Sequence, residues 1–234
     1  MQSDTSRRVA LVTGASRGIG AEVARHLADA DTHVVVNYRH NAAGADAVAQ
    51  DIRSAGGHAS TVAADVSDDA ATTAMINDVA HRFGRLDALV LNASGGLEPD
   101  SQPNHAMRVN HDAQRRLARL ALPLMPAGGH LVFATSHQAH FYPLKAVPKG
   151  YATVAASKRG GETALYAMRS QFDHRDIHFT VVSGDMIDGN SFGNLGDRPE
   201  FTAFAAAIAR AATAPKPTGI VYVGGPDHLA RMSA

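Results

Sequence analysis

Thr13-Gly14-Ala15-Ser16-Arg17-Gly18-Ile19-Gly20 follows a short apolar run, Val9-Ala10-Leu11-Val12, and opens an amphipathic stretch from Ala21 to Ala30. A strand that enters a glycine-rich turn and leaves it as a helix is the arrangement that holds a dinucleotide. Glycine lets the backbone approach a pyrophosphate, and the helix N-terminus offers unpaired N–H groups at the positive end of its dipole. The spacing is Gly-x3-Gly-x-Gly, through Gly14, Gly18 and Gly20, rather than Gly-x-Gly-x2-Gly. A glycine trio also serves ordinary tight turns, because glycine tolerates positive φ. Its place between strand and helix, within the first 20 residues, favours the binding turn.

Beyond the turn, short β-rich runs alternate with longer helical patterns to the end of the chain. Strands are expected at 8–13, 33–37, 59–64, 87–92, 130–135, 177–183 and 219–223. Helices are expected at 19–30, 42–55, 69–83, 104–122, 151–172 and 199–212. This alternation predicts an α/β fold: one Rossmann-type, doubly wound domain over 1–234, with a seven-stranded, mainly parallel sheet covered by helices on both faces. Ligands in such sheets bind beyond the carboxyl ends of the strands. Two irregular stretches on that side, 137–150 and 184–198, are the expected substrate loops.

Composition narrows the function. Lys+Arg and Asp+Glu number 22 each, so no long-range field attracts nucleic acid or an anionic membrane. The absence of cysteine excludes disulfides, thiol catalysis and thiolate metal sites. Met1 to Arg8 lacks the apolar core of a signal peptide, and no apolar run approaches the roughly 18 to 20 residues that span a bilayer. The expectation is a cytoplasmic protein acting on a small molecule, with no metal, nucleic-acid or membrane partner.

The residues at the end of the second strand bear on cofactor choice. An NAD site places Asp or Glu there, bonded to the ribose 2′-OH. Here the strand runs into Asn37-Tyr38-Arg39-His40, without a carboxylate. A 2′-phosphate needs positive charge and forked donors, which arginine supplies. Arg39 and Arg17 are the candidates, and NADP(H) is favoured over NAD(H). A solvated surface position is the plain alternative for either arginine.

Several further segments fall in line with the turn: Asp65-Val66, Asn92-Ala93-Ser94-Gly95, Asn110, Ser136, and Lys158 within Ala155-Ala156-Ser157-Lys158. Together they resemble the short-chain dehydrogenase/reductase family over nearly the whole chain. The resemblance implies cofactor contacts from Gly14, Ser16, Arg17, Gly18, Ile19 and Gly20, from Asn37 and Arg39, and from Asp65 and Val66 beside the adenine. It adds Asn92 and Ala93 at the fourth strand, Lys158 at the nicotinamide ribose, and Gly184 near the carboxamide. It also implies a homo-oligomer, a dimer or tetramer. Strand-end capping by Asp65 and turn bracing by Asn92 are the alternatives drawn from residue type alone.

The catalytic end departs from the family pattern. The usual signature is Tyr-x3-Lys, with tyrosine as acid/base and lysine lowering its pKa. Four residues before Lys158 stands Val154, which has no proton to give, while Tyr151 stands seven before it. Four residues turn a helix by about 400° and seven by about 700°, so both positions share a face with Lys158. Tyr-x6-Lys resembles the divergent, enoyl-reductase-like members. Tyr151 is assigned as proton donor, Lys158 as ribose anchor, Ser136 as the hydroxyl that orients the substrate oxygen, and Asn110 as a water-positioning residue. His137 and His140 are alternative proton donors, and Ser183 replaces the proline usual before Gly184. Three functions stay open: carbonyl/alcohol hydride transfer, enoyl reduction, and an NADP-binding sensor without turnover.

Overall fold

The central apolar runs show little polar alternation because each forms a strand buried on both faces. The computed structural model describes residues 7–97, 104–148, 150–185, 199–215 and 219–224. The strands are β1 (Arg8–Val12), β2 (Thr32–Tyr38), β3 (His58–Ala63), β4 (Ala88–Leu91), β5 (His130–Ser136), β6 (His178–Gly184) and β7 (Ile220–Val223). They pair in parallel in the order β3-β2-β1-β4-β5-β6-β7. Every strand end lies within one residue of its expected place. Met186, Ile187, Asp188 and the rest of 186–198 lie outside the described residues.

Period-two alternation divides the sheet between two cores. Val9, Leu11, Val35, Leu89, Leu91, Leu131, Phe133 and Val181 face one layer. That layer includes α3 (Asp69–Phe83), α5 (Ala113–Ala121), α7 (Ala152–Tyr166) and α8 (Arg169–Asp173). Ala10, Val12, Val34, Val36, Val90, Val132, Ala134 and Val182 face the other. There they meet α1 (Gly18–Leu27), α2 (Ala42–Ser54) and α9 (Pro199–Ala211). The chain reverses its direction of travel across the sheet between β1 and β4, which opens a crevice at their carboxyl ends. No helix among the described residues is long and apolar enough to cross a membrane.

The helices correct the sequence reading in four places. The first stops at Leu27, because Ala28 turns extended at φ −77°, ψ 108°. The stretch expected as one helix over 104–122 is four pieces: α4 (His105–Met107), a π-helical turn (Arg108–Asp112), α5, and a 3-10 turn (Leu122–Leu124). The π turn lies where α7 presses closest, and a Cβ on Gly161 would sit 2.0 Å from the Asn110 carbonyl oxygen. The helix expected over 151–172 breaks between Tyr166 and Arg169 into α7 and α8. Finally, the loop expected over 137–150 begins with a helical turn, α6 (His137–His140).

Candidate active site

The glycine turn is held by β4. Thr13 Oγ1 donates to the Val90 carbonyl at 3.1 Å and accepts from the backbone N–H groups of Asn92 (3.0 Å) and Ala93 (3.1 Å). Asn92 Nδ2 donates to the carbonyls of Thr13 (2.9 Å) and Gly14 (3.3 Å), so its side chain braces the turn. Gly14 and Gly18 have φ of 64° and 59°, the left-handed region that favours glycine. A Cβ on Gly20 would lie 2.5 Å from Asn92 Nδ2 and 2.6 Å from the Gly14 carbonyl oxygen. Arg17 is the N-cap of α1, makes no side-chain capping bond, and no acidic residue occupies the first turn. The donors of this ten-residue helix therefore suit an anion such as a pyrophosphate. Ser16 is half-buried in the same turn, and Ile19 packs partly against the core.

The adenosine end separates bracing from binding. Asn37 is buried: its Oδ1 accepts from Gly14 N–H at 3.1 Å, and its Nδ2 donates to the Ala64 carbonyl at 3.1 Å. It ties the turn to the end of β3. Arg39 is exposed and lies 3.9 Å from Asp65 Oδ2 and 3.5 Å from His105 Nε2. Asp65 accepts from the Ser67 hydroxyl (2.7 Å) and backbone N–H (2.8 Å). Burial pushes its carboxyl up, but these two bonds, with the charges of Arg39 and His105, hold it below the usual range. Val66 is buried and its carbonyl accepts from Arg116 at 2.7 Å. His105 was not signalled by the sequence, because its place beside Arg39 depends on the course of the chain between β4 and α4.

At the end of β5, Ser136 Oγ lies 3.0 Å from the Tyr151 hydroxyl. Ser136 also caps α6 by accepting from Ala139 N–H at 3.3 Å. Tyr151 stands at the N-cap position of α7 and is half-buried. Burial raises its phenol above the ordinary value, and the Ser136 bond opposes that rise. Burial pulls the Lys158 ammonium down to about 8. Val154 is buried against Gly96, where a Cβ would lie 3.3 Å from its methyl.

Asn110 is almost fully buried in the π turn. Its Nδ2 donates to the Gly95 carbonyl (2.9 Å) and Ser157 Oγ (3.0 Å), and its Oδ1 accepts from Gly95 N–H (3.2 Å). The side chain thus joins the loop after β4 to α7.

A family model described as short chain dehydrogenase matches residues 8–199. The chain belongs to the short chain dehydrogenase family. A probable tetrahydroxynaphthalene reductase of Zymoseptoria tritici is 37% identical over 189 residues, covering 77% of this chain and 69% of that protein. The 1-cyclohexenylcarbonyl-CoA reductase of Streptomyces collinus is 35% identical over 196 residues, covering 81% and 68%. Among solved structures, the landomycin C-6 ketoreductase LanV with bound NADP and rabelomycin superposes with a TM-score of 0.76. It is 28% identical, with coverage of 94% of this chain and 96% of that one.

This short-chain dehydrogenase uses its two candidate histidines internally. His137 Nδ1 lies 2.9 Å from Ser183 Oγ, and its Nε2 lies 3.2 Å from the Val223 carbonyl oxygen. His140 Nδ1 lies 2.9 Å from the buried Glu162 carboxylate, and its Nε2 lies 3.1 Å from the Tyr222 hydroxyl. Both rings are buried, and these contacts tie them to β6, β7 and α7. Ser183 gains a physical reason: it partners His137 and continues the β5–β6 pairing where proline would remove a donor. Gly184 is likewise fixed by packing, since a Cβ there would meet the Phe204 ring at 2.8 Å.

Proposed function

We propose that this short-chain dehydrogenase transfers a hydride between NADP(H) and a carbonyl/alcohol carbon of a small molecule, with Tyr151 moving the proton. The 3.0 Å Ser136–Tyr151 pair carries the reading. When bound, NADPH supplies the hydride. The chain supplies the rest. Tyr151, kept protonated by burial, donates its phenolic proton to the substrate oxygen, and Ser136 orients that oxygen. Lys158 follows on the same helix, where its charge stabilises the phenolate left behind. The open α1 N-terminus with Arg17 and Arg39 suits the phosphates of NADP(H), the cofactor bound to the LanV structure. Tyr151-x6-Lys158 takes the place of Tyr-x3-Lys, since buried Val154 offers no proton.

The relatives favour a phenolic aromatic ketone as substrate, because two of them are named for hydroxynaphthalene and landomycin chemistry. Enoyl reduction is the second reading, favoured by the Streptomyces collinus reductase. The decisive experiment measures NADPH binding and then NADPH oxidation with hydroxylated aromatic ketones and with enoyl thioesters. Turnover on ketones supports the first reading and turnover on thioesters the second. Tight binding without turnover on either would make the protein a cofactor-dependent sensor. A homo-oligomer in the cytoplasm completes the proposal, and sedimentation velocity measures its assembly.

A further inference from the structure

Glu162, buried completely on α7, is a costly residue to keep unless its charge is matched. Two groups bond it, and one of them is a permanent cation. Arg159 Nη1 approaches Oε1 at 2.9 Å from one turn earlier, and His140 Nδ1 approaches the carboxylate at 2.9 Å from α6. The far nitrogen of His140 meets the Tyr222 hydroxyl on β7 at 3.1 Å. The ring also packs edge-on to Phe141, which stacks on Tyr222 at 14°. A chain of polar contacts thus runs from α7 through α6 to β7.

The position of this chain gives it consequence. His140 lies four residues after Ser136, in the helical turn that Ser136 caps. Glu162 lies four residues after Lys158, on the helix whose N-cap is Tyr151. The covalent path from α6 to Tyr151 is a ten-residue connection, 141–150, without strand or helix among its described residues. Such a connection does not itself hold two hydroxyls at 3.0 Å. The Glu162–His140 contact clips the two elements together directly.

We infer that His140 and Glu162 are positioning residues that set the distance between Ser136 and Tyr151. The inference rests on the proposed role of that pair. If the clip is lost, Ser136 moves from Tyr151 and its bond weakens; that bond holds the phenol down against burial, so Tyr151 ionises at higher pH.

The test compares His140→Leu, which fills the space but makes neither contact, with His140→Asn, whose Nδ2 takes the place of Nδ1 and keeps a donor to Glu162. Three quantities are measured: the Tyr151 ionisation from phenolate absorbance against Tyr151→Phe, the kcat, and the NADPH dissociation constant. In His140→Leu a loss of about tenfold in kcat is expected, the fold-change of one strong hydrogen bond. The Tyr151 titration should move to higher pH, and NADPH binding should stay unchanged because the glycine turn is braced separately. His140→Asn should restore most of both readouts.

An unchanged titration in folded His140→Leu, or equal loss in both variants, would overturn the inference. If His140→Leu does not fold, Tyr222→Phe, altered at an exposed side chain, should move both readouts the same way by about twofold. No movement there would overturn it too. The titration needs no turnover. Full activity in Tyr151→Phe would therefore remove the proton-donor role, while the titration still decides the clip.

Discussion

Ser136 Oγ and the Tyr151 hydroxyl lie 3.0 Å apart although 15 residues separate them in sequence. One ends a central strand and the other caps a helix, so each is fixed by a different element. In a site that must pass a proton to a substrate oxygen, this double anchoring keeps both hydroxyls oriented before the substrate arrives.

We propose that Arg39 and Arg17 set the preference for a phosphorylated ribose. Replacing both with alanine should weaken NADPH binding by about 10- to 100-fold, the worth of charge-assisted bonds to a phosphate. NADH binding should change little. Titration calorimetry with both cofactors gives the comparison, and equal losses would contradict the assignment.

Gly20→Ala places a methyl 2.5 Å from Asn92 Nδ2 and 2.6 Å from the Gly14 carbonyl. Relief requires the turn to move, because one clashing atom belongs to its backbone. We expect a destabilisation of about 1–3 kcal/mol and a Tm lower by roughly 2–10 °C. NADPH affinity should fall with it; thermal melts with and without cofactor measure both.

The glycine turn and the strands were legible because their signals are local. Val9–Val12 is apolar with a glycine turn behind it, and the other strands are short β-rich runs between helical patterns. The π turn was not legible. It arises where Gly161 of one helix meets Asn110 of another, a contact that local periodicity cannot express. Asn37 and Asn110 read as site residues, and the sequence did not reveal that their side chains also brace the turn and the loop after β4, since an asparagine at a strand end or mid-helix looks the same whichever partner it finds. Glu162 gave no signal, because a lone acid in a helix usually faces solvent.

His130 and His33 make the fold sensitive to acid. Burial lowers both to about 4, with neighbouring positive charge contributing. Their pKa values in the unfolded chain lie near 6.5, so the folded state favours the neutral rings. Their contribution is complete above pH 6.5 and is lost as the pH falls toward 4. A combined loss on the order of 1–3 kcal/mol is expected after allowance for solvent screening. Urea denaturation at pH 7.0 and 4.5 measures it, and His130→Gln should reduce the difference.

Lys158 carries a cost of the opposite kind. Its folded pKa is about 8 against 10.5 for the free side chain, so the fold favours the neutral amine. The cost is therefore present at pH 7 and declines as the pH rises from 8 toward 10.5. Lys158→Met should raise Tm at pH 7 by about 2–6 °C while weakening NADPH binding. The gain in Tm should disappear near pH 10, and differential scanning calorimetry across pH checks it.

Tyr151, not a residue at position 154, is the group we propose to move the proton. Single-turnover NADPH oxidation by Tyr151→Phe, on a substrate turned over by the unaltered protein, measures this most directly. A rate lower by about 10²- to 10⁴-fold is expected, with NADPH binding intact. A rate within a few-fold of the original would contradict it.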